Sequence, residues 1–436
     1  MTHRIDTPSP SDWDAFVRAH PRGHILQMSE WGAHRAAFGW RDERVAVTAA
    51  TDEARILGGA LLLFRPLPAR LGTMAYLAMA PLIHPDYARD PQVESALWRG
   101  IDTAARRHRA VFIKWEPGVF IDGKPGVFID GKPGVFIDGK PGVFIDGKPG
   151  VFNDGKPGVF IDGKPGVFID GKPGVFIDGK PGVFIDGKPG VFIDGKPGIY
   201  AADEPTPDPI ARGFRPSDAP IQPPNTVLID LDGDDEHILA RMNQGTRRKI
   251  RQSLKDTVIY SEASPADLPR FTALMQATGQ RNDFGTYDAG YYVGMYQRFA
   301  PRDAALILAQ HDGEALAGVM VFAVGARAWY LYGASSDSKR NLMASYGAQW
   351  SAIQWARARG CALYDMWGIP DAPPEQLEAE FETRSDGLWG VYGFKRGWGG
   401  RIVRSLGAWE RVYNPLVYAL YQMAVQRRER RNRNSE

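Results

Sequence analysis

Cysteine is nearly missing from this chain. Cys361 is the only one in 436 residues, so no internal disulfide can form, and the composition favours a reducing compartment. Long apolar runs are missing too: no stretch reaches the about 18–20 residues that a spanning helix needs. The opening MTHRIDTPSPSDWDAF lacks the basic-then-apolar layout of a secretory signal, which predicts a cytoplasmic location. No Cys/His cluster has metal-ligand spacing, and neither a metal nor another cofactor is expected. No charge of one sign dominates. The formal charge of +2 gives no general pull toward nucleic acid. The C-terminal QRRERRNRN is the local exception, with Arg427, Arg428, Arg430, Arg431 and Arg433. It reads as a solvated tail or as a contact for anionic lipid or RNA phosphate.

Lysine is scarce outside one block. That block is the octad PGVFIDGK, repeated ten times from Pro117 to Lys196, with Asn153 as its one substitution. A broken copy, Pro197-Gly198-Ile199-Tyr200, follows. Outside the octads the chain has five lysines against 38 arginines, while the octads hold ten lysines and no arginine. The repeat therefore looks foreign to its host. Each unit offers only Val-Phe-Ile between Asp-Gly and Pro-Gly turn signals, short for a strand. Identical copies also leave register undefined, since a slip of one unit restores every contact. A mobile, partly collapsed loop is expected rather than a compact solenoid. Tandem duplication of coding sequence explains it without a selected function.

The host is long enough for two ordinary domains. In the first segment SDWDAFVRAH, with a Ser cap, and WGAHRAAFGW read as helices. RVAVTAA, ILGGALLLF and GTMAYLAMAPLI read as strands. PQVESALWRGIDTAARRH puts Val93, Leu97, Ile101 and Ala104 on one helical face, and AVFIKW suits a buried strand. The second segment repeats this order: strands AALILAQ, GVMVFAVG and AWYLYGA, helix SYGAQWSAIQWARARG ending at Gly360, then strand CALYDMW. The parallel order predicts an α/β protein with two similar domains. The octads fall just after the closing strand of the first. The expected division is residues 1–116 with 197–230 and 401–436, the insertion at 117–196, and a second domain at 231–400. Pro223-Pro224 marks the boundary region.

Three segments carry candidate chemistry. MNQGTRRKIRQSLKDTVIY reads as one helix, with Ile238, Met242, Ile250 and Leu254 on one stripe and Arg247, Arg251 and Lys255 on another. Arg248 and Lys249 flank the basic stripe. Arginine pairs bidentately with phosphate, although a solvated surface helix also fits. In AWYLYGASS, Trp329, Tyr330 and Tyr332 alternate before small residues, which fits a pocket wall or core packing. Phe394-Lys395-Arg396-Gly397-Trp398-Gly399-Gly400 joins a cation to aromatics and flexible backbone. A lysine in a partly apolar pocket can stabilise a developing oxyanion, and Lys395 stands out in a host so poor in lysine.

Taken together, these segments resemble the Fem family of peptidoglycan-bridge aminoacyltransferases (FemABX). The matching positions are Gln27-Met28-Ser29-Glu30-Trp31-Gly32, Gly39-Trp40, Thr246-Arg247, Trp329 to Ser335, Tyr364 to Pro370, and Phe394-Lys395 through Gly399-Gly400. The resemblance spans nearly the whole chain except the octads. It implies two tandem GNAT-like domains, of the compact type without a coiled-coil arm. It implies transfer of Gly, Ala or Ser from aminoacyl-tRNA to the side-chain amine of the peptidoglycan stem peptide. The acceptor would be lipid II or UDP-MurNAc-pentapeptide, with possible peripheral contact at the inner membrane face. Lys395 is the implied catalytic cation. Substrate binding is implied for Arg35, Tyr76, Thr246, Arg247, Arg248, Arg251, Tyr330, Tyr332 and Ser335, with either Arg247 or Arg248 in the phosphate role. Where the family often has Arg-Gly-Pro followed by an acid, this chain has Met79-Ala80-Pro81-Leu82-Ile83-His84. His84 and Asp86 are the substitutes considered for the missing acid. Two other classes stand as alternatives. A GNAT acyltransferase using acyl-CoA would need a glycine-rich pyrophosphate turn, Arg/Gln-x-x-Gly-x-Gly, which neither half contains. A non-catalytic repeat-bearing binding protein would call for a secretion signal.

Overall fold

The computed structural model describes residues 3–49, 52–120, 207–255, 257–281 and 285–433, with four short ladders inside the octads. In each ladder a Phe-Ile pair faces the Lys-Pro that follows it, antiparallel, as in Phe136–Ile137 with Lys140–Pro141. The sequence between them is Asp-Gly, the expected turn signal. The expected mobile loop otherwise lies outside the described residues. Residues Ile121–Asp203 form one compact unit, and Met1–Phe120 with Glu204–Glu436 form the other, the host.

The host contains two sheets. The first runs in the order His3–Asp6, Arg41–Ala49, Asp52–Pro66, Thr73–Ala78, Ala110–Glu116, Ala408–Val412, Arg215–Ser217, with Leu82–Ile83 also on Asp52–Pro66. The second runs Ile259–Glu262, Ala304–His311, Glu314–Val324, Arg327–Ser335, Leu363–Ile369, Asn225–Asp230, Arg401–Arg404. Each has one parallel pair, Thr73–Ala78 with Ala110–Glu116 and Arg327–Ser335 with Leu363–Ile369. A helix crosses over between the members of each pair, as parallel strands require: Pro91–Arg107 in the first sheet and Ala344–Ala358 in the second. The duplicated strand–helix–strand order predicted from sequence is therefore present, in an α/β fold.

The crossover helices form where their patterns predicted. Val93, Leu97, Ile101 and Ala104 are all fully buried, and Asp90 caps that helix through the amides of Gln92 and Val93. Gly360, at φ 75°, ends the second helix in the left-handed conformation that glycine adopts without penalty. The outer sheet faces hold separate apolar clusters under these helices. The inner faces share a single cluster, in which Trp13, Val17 and Leu26 join Phe271, Tyr292 and Phe322. Arg18 pairs with Asp303 at 2.6 Å, and Arg302 with Glu30 at 2.7 Å, adding charged ties across the same seam.

Several expectations move. Strands Asn225–Asp230 and Arg401–Arg404 pair with each other in the second sheet, so the boundaries at 230/231 and 400/401 cut through it. The host also keeps the first half-octad: Phe120 bridges to Ser405, and Val119 accepts from the Leu406 amide at 2.8 Å. The first helix, Pro10–Ala19, is capped by Ser9 rather than Ser11, because Pro10 suits the first helical position. The basic segment is two helices, Asp235–Arg241 and Gln244–Ser253. Asn243 starts the second by accepting from the Thr246 amide at 2.7 Å. Ile238, Met242 and Ile250 remain buried, while Leu254, at the end of the stripe, is 50% exposed. Helices Leu268–Arg281 and Ala289–Phe299 were not singled out from sequence.

Candidate functional site

The two parallel pairs differ in length. In the first sheet, pairing continues from Thr73↔Ala110 to Ala78↔Glu116. In the second it stops after Arg327↔Leu363, Ala328↔Tyr364 and Trp329↔Asp365. Beyond Asp365 the strands are no longer hydrogen-bonded, and Trp367 takes φ 62°, unusual for a bulky residue. Lys395, at the end of helix Trp389–Lys395, enters this fork. Its Nζ donates to the Gly368 carbonyl at 2.7 Å and lies 5.7 Å from the Tyr330 ring centroid. It thus touches both prongs.

Burial dominates the electrostatics here. It pulls the Lys395 ammonium down to about 7, against the opposing pull of the Asp365 charge. Asp365 is itself pushed up to about 6 by burial, partly offset by hydrogen bonds from the Thr226 hydroxyl and the Trp367 amide. Burial pushes the Tyr330 phenol up to about 12, so it stays neutral. The fork holds a lysine whose charge is labile near neutral pH, one of whose three protons is committed to Gly368.

A cleft of about 270 Å³ adjoins the fork, with Trp367 in its wall. Arg35, Tyr76, Gln222, Tyr291 and Tyr332 also line it. The Arg35 guanidinium lies 4.6 Å from the Trp40 ring centroid. The Tyr291 and Tyr332 hydroxyls are 3.1 Å apart, and Tyr287 stacks on Tyr291 at 3.7 Å. Tyr76 donates to Glu116 and accepts from Gln222 at 2.9 Å. Glu116 also accepts from the amides of Ile221 and Gln222, so this buried carboxylate fixes the linker to the cleft wall. Burial raises its pKa despite these bonds. A separate open groove of about 860 Å³ is lined by Arg247, Arg248, Arg251 and Lys255. Its helix is docked beside Lys395: the Asn243 amide donates to the Gly397 carbonyl at 3.1 Å. A Cβ at Gly397 would come within 2.2 Å of the Thr246 hydroxyl, so only glycine allows this approach.

A family model described as the FemAB family matches residues 9–124, 213–315 and 309–426. The chain belongs to the FemAB family. Among curated relatives, "Lipid II:glycine glycyltransferase" of Staphylococcus haemolyticus (strain JCSC1435) is 22% identical, covering 95% of this chain and 94% of that protein. The protein of the same name from Staphylococcus aureus (strain USA300) is 21% identical over the same shares. The crystal structure of FemX matches with a TM-score of 0.68 at 19% identity, covering 96% of this chain and 99% of that one. That likeness shows a fold shared with FemX, here an α/β arrangement of two sheets, each with one parallel pair.

This FemAB chain gathers some of the residues singled out in its sequence and separates others. Arg35, Tyr76 and Tyr332 meet in the cleft, and Tyr330 meets Lys395 in the fork. Arg247, Arg248 and Arg251 share the basic groove. Arg247 is turned back to the end of the preceding helix, donating to the Ala240 and Met242 carbonyls. Among the described residues Arg248 and Arg251 have no hydrogen-bond or ion-pair partner. Thr246 is buried under Gly397, and Ser335 is held by Arg281 and Thr278 outside the cleft lining. His84 and Asp86 sit on an exposed turn, where Arg55 pairs with Asp86 at 3.2 Å; neither lines the cleft or the fork. Asp365, Glu116, Gln222 and Trp367 were not proposed from sequence. Cys361 is buried with its thiol pushed up to about 11 by burial, a poor nucleophile. Among the described residues no acidic, histidine or cysteine group is placed to hold a metal, and no helix is long and apolar enough to cross a membrane.

Proposed function

We propose that this FemAB protein transfers an amino acid, Gly, Ala or Ser, from aminoacyl-tRNA to the side-chain amine of a peptidoglycan stem peptide. The acceptor is lipid II or its UDP-linked precursor. The staphylococcal relatives named for lipid II support the substrate class. The single observation that carries the chemistry is Lys395, buried between the prongs of the fork with its charge poised near neutral pH.

The reaction is aminolysis of an ester. The neutral acceptor amine attacks the ester carbonyl, and the electron pair moves to oxygen. The tetrahedral intermediate collapses with cleavage of the bond to the ribose oxygen, which leaves with the proton given up by the amine. Lys395 as a cation donates to the developing oxyanion, most strongly in this water-poor fork. Asp365 sustains that cation. The aromatic cleft with Arg35 and Tyr76 holds and orients the acceptor, and proximity supplies much of the rate. Arg248 and Arg251 hold phosphate. His84 and Asp86 take no part in this scheme.

The test is transfer from charged glycyl-, alanyl- and seryl-tRNA to lipid II or the UDP-linked muropeptide. A muropeptide heavier by one residue is expected with one donor, and no product with any donor refutes the reading. Arg251→Ala is expected to raise KM for the phosphorylated substrate about tenfold, as loss of one charge-assisted contact would, with kcat nearly unchanged. Initial-rate kinetics checks it. Removing the nine octads from Pro125 to Lys196, with the host-bound Pro117–Phe120 retained, is expected to leave turnover within about twofold, since loop closure depends weakly on length. The same assay on the shortened protein decides this.

A further inference from the structure

In the C-terminal helix Pro415–Arg433, the side chains described, from Pro415 to Arg427, place Tyr418 and Tyr421 on the face toward the protein. Tyr418 and Tyr421 lie 5.1 Å and 5.4 Å from the Phe112 ring centroid, and the Tyr418 hydroxyl donates to Glu410. The opposite face is apolar and uncovered. Leu416, Ala419, Leu420, Met423 and Ala424 recur at helical spacing and are all exposed, Leu416 at 80%, Leu420 at 52% and Met423 at 46%. A helix face meant for water would carry polar residues there.

The stripe runs into Arg427, and the sequence continues through Arg428, Arg430, Arg431 and Arg433 with one acid, Glu429. Two more exposed arginines flank the helix. Arg215 lies 4.7 Å from the Tyr418 ring centroid. Arg65 acts electrostatically on Tyr421 and lies 5.8 Å from the Trp40 ring centroid. Trp40 lines the cleft, so helix, cations and cleft mouth are contiguous.

We propose that this helix is an in-plane anchor on a bilayer surface containing anionic lipid, its leucines and methionine entering the interface and its arginines meeting the phosphates. Apolar stripe and basic end are the two elements such binding needs. Binding of RNA would leave the leucines without a role. A second copy would gain too little from three large side chains, since a stable interface buries about 800 Å² on each partner. The inference rests on the transferase reading only for its use: the anchor sets the cleft beside a lipid-linked acceptor.

The experiment is flotation of the full chain with phosphatidylglycerol/phosphatidylcholine vesicles and with phosphatidylcholine alone. The protein is expected to float with the first, salt-sensitively, and not with the second. Leu420→Asp/Met423→Asp is expected to weaken binding about tenfold or more. Its thermal melt and its transfer to the soluble UDP-linked acceptor should be unchanged, while transfer to vesicle-borne lipid II falls. Three results overturn the proposal: a wild type that stays unbound, a double variant that floats as well as wild type, or a dimer that the substitutions dissociate without any vesicle binding. If the wild type floats but transfers nothing, the anchor stands and the transferase reading falls.

Discussion

Lys395→Ala is expected to lower turnover by about 10²–10³-fold, the usual consequence of removing one preorganised oxyanion donor, with KM changed little. The fork explains the size. Nζ is held by a single carbonyl between two strands that no longer pair, so its remaining protons are available to a reacting oxygen. The pH dependence gives a sharper signature. Lys395 is cationic below its pKa of about 7, so kcat should fall as pH rises through that region. The Asp365 charge holds this pKa up; in Asp365→Asn that support is gone and the pKa drops further. The alkaline limb should therefore move to lower pH, a shift that mere loss of stability would not produce. A pH–rate profile of the two proteins checks it. An unmoved limb would separate Asp365 from the charge of Lys395.

The second large effect is on stability. Glu116→Ala should lower the unfolding free energy by about 2–3 kcal/mol, because a buried phenol and two part-buried amides lose their acceptor, a buried donor left unpaired costing about 1–3 kcal/mol. The bonds at stake are those from Ile221, Gln222 and Tyr76. Since Tyr76 and Gln222 line the cleft, KM for the acceptor should rise as well. Glu116→Gln, which keeps an acceptor oxygen, should recover part of both. Urea unfolding with initial-rate kinetics measures the pair of effects. If Glu116→Ala is as stable as wild type, the carboxylate does not hold the linker.

The crossover helices and parallel strands were legible because their burial is periodic. Val93, Leu97, Ile101 and Ala104 all reach the core. Helices Leu268–Arg281 and Ala289–Phe299 hid because Thr272, Thr278 and Gly279 interrupt the buried face of one, and the other is buried largely through Tyr291 and Tyr292. Tyr291, which builds the cleft, was hidden with them. Lys395 was legible through its rarity in the host. Asp365 and Glu116 were not, since strands so apolar read as plain core. Trp367 reaches the cleft from a left-handed backbone conformation that its sequence context does not reveal. His84 and Asp86 were chosen as substitutes for the acid that the Fem resemblance implies after Met79-Ala80-Pro81, and the turn Pro85–Tyr87 holds them at the surface. The break at Met242 and Asn243 was legible only in part, since the apolar stripe continues across it from Ile238 to Ile250.

The most direct test of the central claim sets two donors side by side. The purified protein is given lipid II and, in a parallel series, the UDP-linked muropeptide, each with a mixture of charged glycyl-, alanyl- and seryl-tRNA or with acetyl-CoA, and the product mass is read. The account predicts a gain of one amino-acid residue from the tRNA mixture, abolished by prior ribonuclease treatment, and no product from acetyl-CoA. An acetylated muropeptide, or no product from the charged tRNAs, would contradict it.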